Sequence, residues 1–345
     1  MSDDALVPGR IGPVARFGFG GASVGNLYRA TSDATALAAM DAAMQLGFDY
    51  LDTAPHYGHG LSEVRIGAWL RAWSGARPML STKVGRLLRP SGPEGPPDHG
   101  FVDPLPFTQV FDYSYDGVLQ SFDESCARLG VEFVDILYMH DIGRATHGDD
   151  HPVTFALAMS GGYKAMRRLK AEGRVRAIGL GVNEWEVCEE SFAHADFDCF
   201  MLAGRYTLLE QEPLERFLPE CERRGVDVVV AGPLNSGLLA RRPDATSRYN
   251  YADAPPAVVE RARRLFRFCE DHGVPTQAAA LQFPLLHPTV RSVVSGMSTA
   301  ERVRQAAAWG ATAIPISFWS AMKEAGLLHP AAPTGPGPAP TRTIA

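Results

Sequence analysis

The regular alternation of short β-rich runs with stretches of helical periodicity constrains the fold of this chain most. Eight runs rich in β-branched and aromatic residues are separated by segments whose apolar residues recur at helical spacing. The predicted strands are Phe17–Gly20, Phe48–Asp52, Met79–Lys83, Val134–Met139, Ala177–Gly181, Cys199–Ala203, Val226–Val230 and Val290–Val294. Eight strands with eight connections predict an α/β protein of the (β/α)8 TIM barrel class, because an open doubly wound sheet usually has fewer strands.

Three connections are long and rich in proline and glycine, namely residues 86–109, 141–161 and 233–256. Because each follows a predicted strand, we expect these long loops on the C-terminal face, where barrel enzymes hold their active sites. A barrel of about 250 residues with such insertions fits a single domain over residues 1–329. The Pro-, Ala- and Thr-rich residues 330–345 are expected to be a disordered tail.

Charge and cysteine usage restrict the partners. A formal net charge of -6 and a pI near 5.9 give no overall attraction to nucleic acid or anionic lipid. The 5 cysteines are scattered without a C-x-x-C pair, which indicates reduced thiols. The sequence shows neither a secretory signal nor an apolar run of the ~20 residues that span a membrane. We therefore expect a cytoplasmic protein with a small-molecule partner, no nucleic acid and no membrane.

Polar residues stand at the carboxyl ends of three consecutive predicted strands. The second strand ends at Asp52, the third ends at Lys83, and His140 directly follows the fourth. Tyr57 lies a short loop beyond Asp52, which is close enough to bring its hydroxyl over the barrel mouth. Because barrel strands converge on one pocket at this end, we expect a carboxylate, an ammonium, an imidazole and a phenol to meet there.

These four side chains suit proton transfer to or from a carbonyl oxygen. A free tyrosine has a pKa of about 10, which is too high for an efficient base near neutrality. The Lys83 cation is expected to lower the pKa of Tyr57, while Asp52 keeps the ammonium charged and oriented. His140 is expected to donate a hydrogen bond to the substrate oxygen. Because no side chain supplies a hydride, the arrangement implies a redox cofactor.

Two other kinds of site can be considered from the sequence. The glycine cluster at residues 18–25 lacks the G-x-G-x-x-G spacing of a Rossmann fingerprint, and we expect a tight turn there instead. The polar residues of the second long connection are His147, Asp149, Asp150 and His151. No matching ligands stand at strand ends, so we expect solvated side chains there and no metal.

Over nearly its whole length the chain resembles the aldo-keto reductase superfamily. Residues 47–58, continued at 62–63 and 66–67, are similar to the longest signature of that family. The resemblance implies that the catalytic tetrad is Asp52, Tyr57, Lys83 and His140, with Tyr57 as the general acid/base. It also implies NAD or NADP lying extended across the barrel mouth.

The resemblance identifies cofactor-binding residues as well: Asn183, Tyr206, Pro233, Leu234, Ser236, Gly237, Leu238, Gly296 and Arg302. It implies that Asn183 binds the carboxamide and that residues 235–239 form the pyrophosphate loop. Residues 231–234 read Ala-Gly-Pro-Leu where relatives often have Tyr-Ser-Pro-Leu, which removes a ring expected to stack on the nicotinamide. Gly296 replaces the lysine of many NADP-preferring members, whereas Arg302 matches the arginine of the adenosine end. NAD is therefore slightly favoured.

These departures look like the branch that contains D-threo-aldose 1-dehydrogenase and L-fucose dehydrogenase, with pyridoxal 4-dehydrogenase as a similar relative. The branch implies oxidation of an aldose of the L-fucose or D-threo-aldose class at C1 to its lactone. Candidate substrate-binding residues at the mouth are Asn26, Tyr28, His56, Asp141 and Trp185. Three alternatives stay open: a reductase of aldehydes or ketones, a pyridoxal dehydrogenase, and a cofactor-sensing subunit without enzymatic activity.

Overall fold

A closed barrel of parallel strands forms the centre of the molecule. The computed structural model describes residues 9–244, 247–250 and 252–335. Its strands are β1 (Phe17–Gly20), β2 (Tyr50–Asp52), β3 (Met79–Val84), β4 (Arg86–Pro90), β5 (Phe107–Phe111), β6 (Val134–His140), β7 (Val175–Val182), β8 (Cys199–Ala203), β9 (Asp227–Ala231), β10 (Arg248–Tyr249), β11 (Ala252–Asp253) and β12 (Val290–Gly296). Around the barrel the order is β1, β12, β9, β8, β7, β6, β3 and β2, which pairs with β1 again. The predicted (β/α)8 fold is confirmed.

The predicted strands are all present, and their ends differ for local reasons. Strand β2 begins at Tyr50 rather than Phe48 because the amide of Phe48 donates to the carbonyl of Ala43 and closes the preceding helix. Strand β7 extends beyond its predicted range because Val175 pairs with Val134 of β6.

The other four strands form two antiparallel hairpins inside the long connections. In the first long connection β4 pairs with β5, from Arg86 opposite Phe111 to Pro90 opposite Phe107. In the third, β10 pairs with β11. The sequence analysis predicted neither hairpin, because their ladders join residues separated by irregular Pro- and Gly-rich segments.

Helices alternate with the barrel strands. They are α1 (Asp33–Gln45), α2 (Leu61–Ala72), α3 (Tyr115–Leu129), α4 (Arg144–His147), α5 (His151–Leu157), α6 (Tyr163–Ala171), α7 (Glu186–Ser191), α8 (Phe217–Arg224), α9 (Pro256–Asp271), α10 (Thr276–Gln282), α11 (Ala300–Gly310) and α12 (Ile316–Glu324). Helix α3 shows the local signals clearly. Its N-cap Ser114 accepts a hydrogen bond from the amide of Gly117, and it ends at Gly130 in the left-handed conformation.

The apolar residues divide into two buried clusters. The larger one lies between the barrel and its helices and includes Phe122, Phe200 and Leu265. The smaller one joins inward-facing strand residues such as Tyr138 and Met201 to Ile11 and Val14 of the N-terminal segment. Both clusters hold the strand ends rigidly, so side chains that follow the strands have fixed positions.

The predicted site residues follow the strands in two adjacent groups. Strands β2, β3 and β6, which precede or contain the predicted tetrad, are neighbours in the barrel. Strands β7, β8, β9 and β12, which precede the predicted cofactor-binding residues, are neighbours on the other side. The barrel order thus places the predicted tetrad and the predicted cofactor-binding residues on two adjacent arcs of one mouth.

The described ranges of the chain contain no helix long and apolar enough to cross a membrane. The single domain predicted for residues 1–329 stays a prediction. Of the tail predicted to be disordered, Ala332 is buried against the larger cluster, whereas residues 336–345 lie outside the described residues. All 5 cysteines are buried free thiols.

Candidate active site

A buried ion pair lies at the carboxyl ends of β2 and β3. Lys83 Nζ donates to both carboxylate oxygens of Asp52, at 2.9 and 2.7 Å, and to the carbonyl of Thr53 at 3.0 Å. The Asp52 and Lys83 residues are each only 2% exposed. Ser81 donates a further hydrogen bond to Asp52 at 2.7 Å. Because the carboxylate and the ammonium compensate each other, the charges can be held out of water.

The Tyr57 hydroxyl completes this hydrogen-bonded set. Lys83 Nζ lies 3.0 Å from it and 4.7 Å from the centre of the phenol ring. Burial raises the pKa of Tyr57 well above its ordinary value, the Asp52 and Asp141 carboxylates raise it further, and Arg86 opposes them. The expectation that Lys83 lowers this pKa below that of a free tyrosine was therefore wrong. It left out the burial of the phenol and the effect of the Asp52 and Asp141 carboxylates on its pKa.

His140 faces the phenol from the end of β6. Its ring lies perpendicular to that of Tyr57, with the centroids 6.2 Å apart. Burial lowers the pKa of His140 well below its usual value, and the cations of Arg86 and Lys83 lower it further. The imidazole is therefore neutral near pH 7, and a neutral ring can donate a hydrogen bond through one nitrogen. Its Nδ1 is buried without a partner among the described residues.

Arg86 and Gln109 belong to the site and were missed by the sequence analysis. Arg86 Nη2 donates to Asp141 Oδ2, and Arg86 Nη1 donates to Gln109 Oε1 at 3.1 Å. His56 Nδ1 lies 2.7 Å from the same amide oxygen. Gly85, at φ +100°, turns the chain between β3 and β4, and a Cβ there would lie 2.3 Å from the Tyr113 ring. A glycine shortly after the predicted strand that ends at Lys83 could have indicated a turn that brings the chain back over the mouth.

An aromatic wall comes from the loop that joins β4 to β5. The Phe101 ring stands edge-on to His56 at 5.2 Å and lies 6.4 Å from the Tyr57 ring. A bridge to Leu27 and a hydrogen bond from the amide of Val102 to the carbonyl of Asn26 tie this loop to the segment after β1. No motif pointed to Phe101, because loop closure brings it to the site.

The predicted substrate-binding residues separate into two sets. His56 and Asp141 lie with the predicted tetrad, as the contacts above describe. Asn26, by contrast, is buried and holds the loops together, since its amide donates to Val102 and accepts from Arg65 and the amide of Thr31. The structure thus corrects its predicted role.

Tyr28 and Trp185 differ in exposure, since Tyr28 is exposed and Trp185 packs against the larger apolar cluster. Tyr28 is 43% exposed, and its amide donates to the carbonyl of Gly100 in the loop that carries Phe101. Trp185 packs on Phe217 with ring centroids 6.3 Å apart, under the guanidinium of Arg216. Trp185 therefore packs against the start of α8, and its predicted substrate role stays a prediction.

Several predicted cofactor residues have features that fit a nicotinamide dinucleotide. Asn183 Nδ2 donates to Asp141 Oδ1 at 3.1 Å. Asn235, Ser236 and Gly237, which follow β9 within the predicted loop 235–239, have consecutive positive φ values, and the Oδ1 of Asn235 is buried without a partner among the described residues. Within this run the amides of Asn235 and Gly237 donate to the carbonyls of Gly232 and Leu234, so Ser236 is the candidate donor to an anion.

The residues predicted to bind the adenosine end of the cofactor are exposed. Gly296 is exposed, and a Cβ there would meet only Ser23, at 3.6 Å or more. Arg302 is exposed in the first turn of α11, which is capped by Thr299. An arginine at a helix N-terminus suits a phosphate or ribose group.

Tyr206 does not fit its predicted cofactor role. It is 0% exposed, with its ring between those of Phe283 at 5.3 Å and His287 at 5.7 Å. Burial raises its pKa, and its hydroxyl has no partner among the described residues. Its φ of +60° turns the side chain into the core, so no face of the ring is open to a cofactor.

The polar residues of the second long connection are not all solvated. His151 is buried and lies 3.1 Å from both the carbonyl of Ile142 and the carboxylate of Glu190, while His147 contacts the Tyr113 hydroxyl at 3.2 Å. The expectation of solvation was wrong for His151, because helix α5 begins there and turns it inward. Within the described ranges no group of three or more His, Cys, Asp or Glu residues could hold a metal ion.

Comparison with known proteins agrees with this geometry. The profile of the Aldo/keto reductase family matches residues 16–326. Pyridoxal 4-dehydrogenase from Microbacterium luteolum is 43% identical over 331 residues, which cover 93% of this chain and 96% of that protein. D-threo-aldose 1-dehydrogenase from a Pseudomonas species is 41% identical, with 91% and 95% covered. An aldo-keto reductase from Bacillus halodurans in its holo form has a TM-score of 0.69 at 25% identity, with 94% and 95% covered.

Proposed function

The chain belongs to the Aldo/keto reductase family, a family of oxidoreductases, and we propose that it oxidises C1 of a cyclic aldose to the lactone with a nicotinamide cofactor. The observation that carries the proposal is the hydrogen-bonded set of Asp52, Lys83 and the Tyr57 hydroxyl, facing the neutral ring of His140. We propose these four residues as the catalytic tetrad.

A chemical feature unites the substrates named for the two relatives. An aldose in water is mainly a cyclic hemiacetal, with a hydroxyl and a ring oxygen on C1. Pyridoxal carries a hydroxymethyl group beside its aldehyde and closes to a hemiacetal in the same way. Removal of the C–H hydrogen as a hydride, with its two electrons, and of the hydroxyl hydrogen as a proton converts either hemiacetal to a lactone. Pyridoxal is therefore the second candidate substrate, and the aromatic side chain of Phe101 beside His56 and Tyr57 favours it because aromatic rings attract one another.

The chain's own residues handle the proton and the orientation. His140 donates a hydrogen bond to the C1 hydroxyl oxygen and holds it near the Tyr57 oxygen. Tyr57, as phenolate, accepts the hydroxyl proton, and Lys83 stabilises the phenolate through its 3.0 Å contact. Because the pKa of Tyr57 is raised in the free protein, a neutral Tyr57 is set to donate a proton, and the oxidising direction gains as the pH rises. The bound nicotinamide supplies the hydride acceptor.

The cofactor proposal rests on the residues that follow β7, β9 and β12. Asn183 would hold the carboxamide, and Ser236 would donate its amide and its hydroxyl to the pyrophosphate. Pro233, Leu234, Gly237 and Leu238 would line the same loop beside the cofactor. Gly296 offers no charge to a 2′-phosphate, while Arg302 offers one. We propose that NAD is used at least as well as NADP.

A substrate panel with oxidised cofactor tests this function. L-fucose, D-arabinose, L-galactose and pyridoxal are each supplied, and formation of the reduced cofactor and of the lactone is measured. Simple aldehydes are supplied with reduced cofactor in a parallel assay, and consumption of that cofactor is measured. Oxidation of one aldose with marked selectivity among epimers supports the proposal, because an unmatched pocket group penalises the wrong configuration. Strong reduction of simple aldehydes without oxidation of any cyclic hemiacetal would contradict it. Cofactor binding without any turnover would favour a sensing subunit.

A further inference from the structure

Arg86 and Asp141 form a buried ion pair that the proposed proton transfer does not use. Their side chains are 8% and 6% exposed, and the guanidinium also covers the Phe111 ring at 4.9 Å. Asp141 has a φ of +48°, and its amide donates to the carbonyl of Gly181 at 3.0 Å. The backbone thus holds the carboxylate in a conformation that few residues adopt.

The Asp141 carboxylate touches both sides of the proposed site. Its Oδ2 takes the Arg86 hydrogen bond and lies 3.3 Å from Nε2 of His140. Its Oδ1 accepts from Asn183 Nδ2 at 3.1 Å. The same amide group of Asn183 therefore has its oxygen left for another donor, and a nicotinamide carboxamide carries such a donor.

We propose that Arg86 and Asp141 are positioning residues: together they fix the ring and charge state of His140 and the amide orientation of Asn183. The roles of His140 and Asn183 in turnover are those of the proposed function, and to that extent the inference rests on it. The positioning itself is a property of the free protein and can be measured there.

Arg86 and Asp141 carry opposite charges beside His140 and therefore have opposite effects on its protonation. The titratable and charged groups that face it are His56 and Tyr57 from the loop after β2, Lys83 from β3, Arg86 from β4, and Asp141. Arg86 lowers the pKa of His140, second only to burial. Removal of Arg86 leaves the carboxylate beside the ring and favours the imidazolium. Neutralising Asp141 leaves Arg86 unopposed and favours the neutral ring further.

The hydrogen-bond pattern also predicts what Asp141→Asn does to Asn183. Arg86 requires an acceptor, so the new amide would turn its oxygen to the guanidinium and its NH2 group to Asn183. Two donors would then face each other, and Asn183 would have to flip and present NH2 rather than oxygen to the cofactor. The backbone should tolerate this change, since Asn adopts positive φ as readily as Asp.

The test follows His140 by NMR in the cofactor-free full-length chain, with its signal among the 10 histidines identified by its loss in His140→Gln. We expect the proton affinity of His140 to rise about tenfold in Arg86→Met, to stay at or below that of the native protein in Asp141→Asn, and to return towards native in the double variant. In parallel, Asp141→Asn should weaken cofactor binding about fivefold by fluorescence titration.

Arg77→Met is the matched control, since Arg77 bonds the buried carboxylate of Asp135 at the opposite end of the barrel strands. It should change neither readout. Unchanged His140 titration in Arg86→Met, or single variants that shift it in the same direction, would overturn the proposal. If Arg86→Met does not fold, the cofactor affinity of Asp141→Asn tests the proposal instead. A native cofactor affinity in that variant would then overturn it. Failure of the aldose panel would leave this titration test intact, so the two proposals can fail separately.

Discussion

Replacing Lys83 by Met should destabilise the fold and impair turnover for one identifiable reason. Met keeps an unbranched apolar side chain but removes the cation that bonds both oxygens of Asp52, the carbonyl of Thr53 and the Tyr57 hydroxyl. Breaking one partner of a buried ion pair costs about 3 to 5 kcal/mol, because the other charge stays buried without compensation. Asp52 would retain the hydrogen bond from Ser81, which places the expected loss towards the lower end.

Denaturant unfolding of native and variant chains measures this loss, with Lys170→Met as the matched control. Lys170 also bonds both oxygens of a carboxylate, that of Asp198, which is 9% exposed and keeps the amide of Ile178 as a donor. Because the Lys170 side chain is 40% exposed and water can replace it, its removal should cost less than that of Lys83. The double variant Lys83→Met with Asp52→Leu should recover much of the stability and none of the activity. A Lys83→Met cost no larger than that of Lys170→Met would refute the argument from buried charge.

Three further predictions follow from the site. Because the pKa of Tyr57 is raised, kcat/KM for oxidation should increase with pH by up to about tenfold per pH unit. The kcat/KM for reduction should stay level and decline only at high pH. An oxidation profile that is flat from about pH 6 to about pH 9 would contradict this prediction. Gly296→Lys should raise the preference for NADP over NAD about tenfold or more, because the exposed position accepts a side chain and the lysine adds a contact to the 2′-phosphate. Gly296→Met is the control. An unchanged ratio of the kcat/KM values for the two cofactors would count against the proposed placement of the cofactor. Phe101→Ala should raise KM for cyclic substrates about tenfold and leave KM for a small open-chain aldehyde unchanged. An equal change in both KM values would show that Phe101 acts only through the fold.

The sequence predicted the barrel well because each strand is a local run with β-forming residues and each connection is bounded by turn residues. Asp52, Lys83 and His140 could be placed for the same reason, since a residue at a strand end needs only the strand to be located. Arg86 and Gln109 could not, because the ladder of β4 and β5 brings together residues 23 positions apart. Such pairing depends on loop closure, which leaves no periodic signal.

The errors have physical causes too. Tyr206 was assigned from the family resemblance, but its backbone adopts a positive φ and the ring packs in the core. Asn26 was assigned for its polarity, yet its amide satisfies buried loop groups. The pKa of Tyr57 was misjudged because burial and the second carboxylate, Asp141, depend on tertiary contacts.

The steady-state rate of Tyr57→Phe tests the central claim most directly. The change removes only the hydroxyl that lies 3.0 Å from Lys83 Nζ and leaves the ring that packs near Phe101 and His140. With the best hemiacetal of the panel, we predict a kcat lower by about 10²-fold or more, with cofactor affinity and unfolding free energy close to native. Turnover within a few-fold of native by a folded, cofactor-binding Tyr57→Phe chain would contradict the assignment of Tyr57 as the general acid/base.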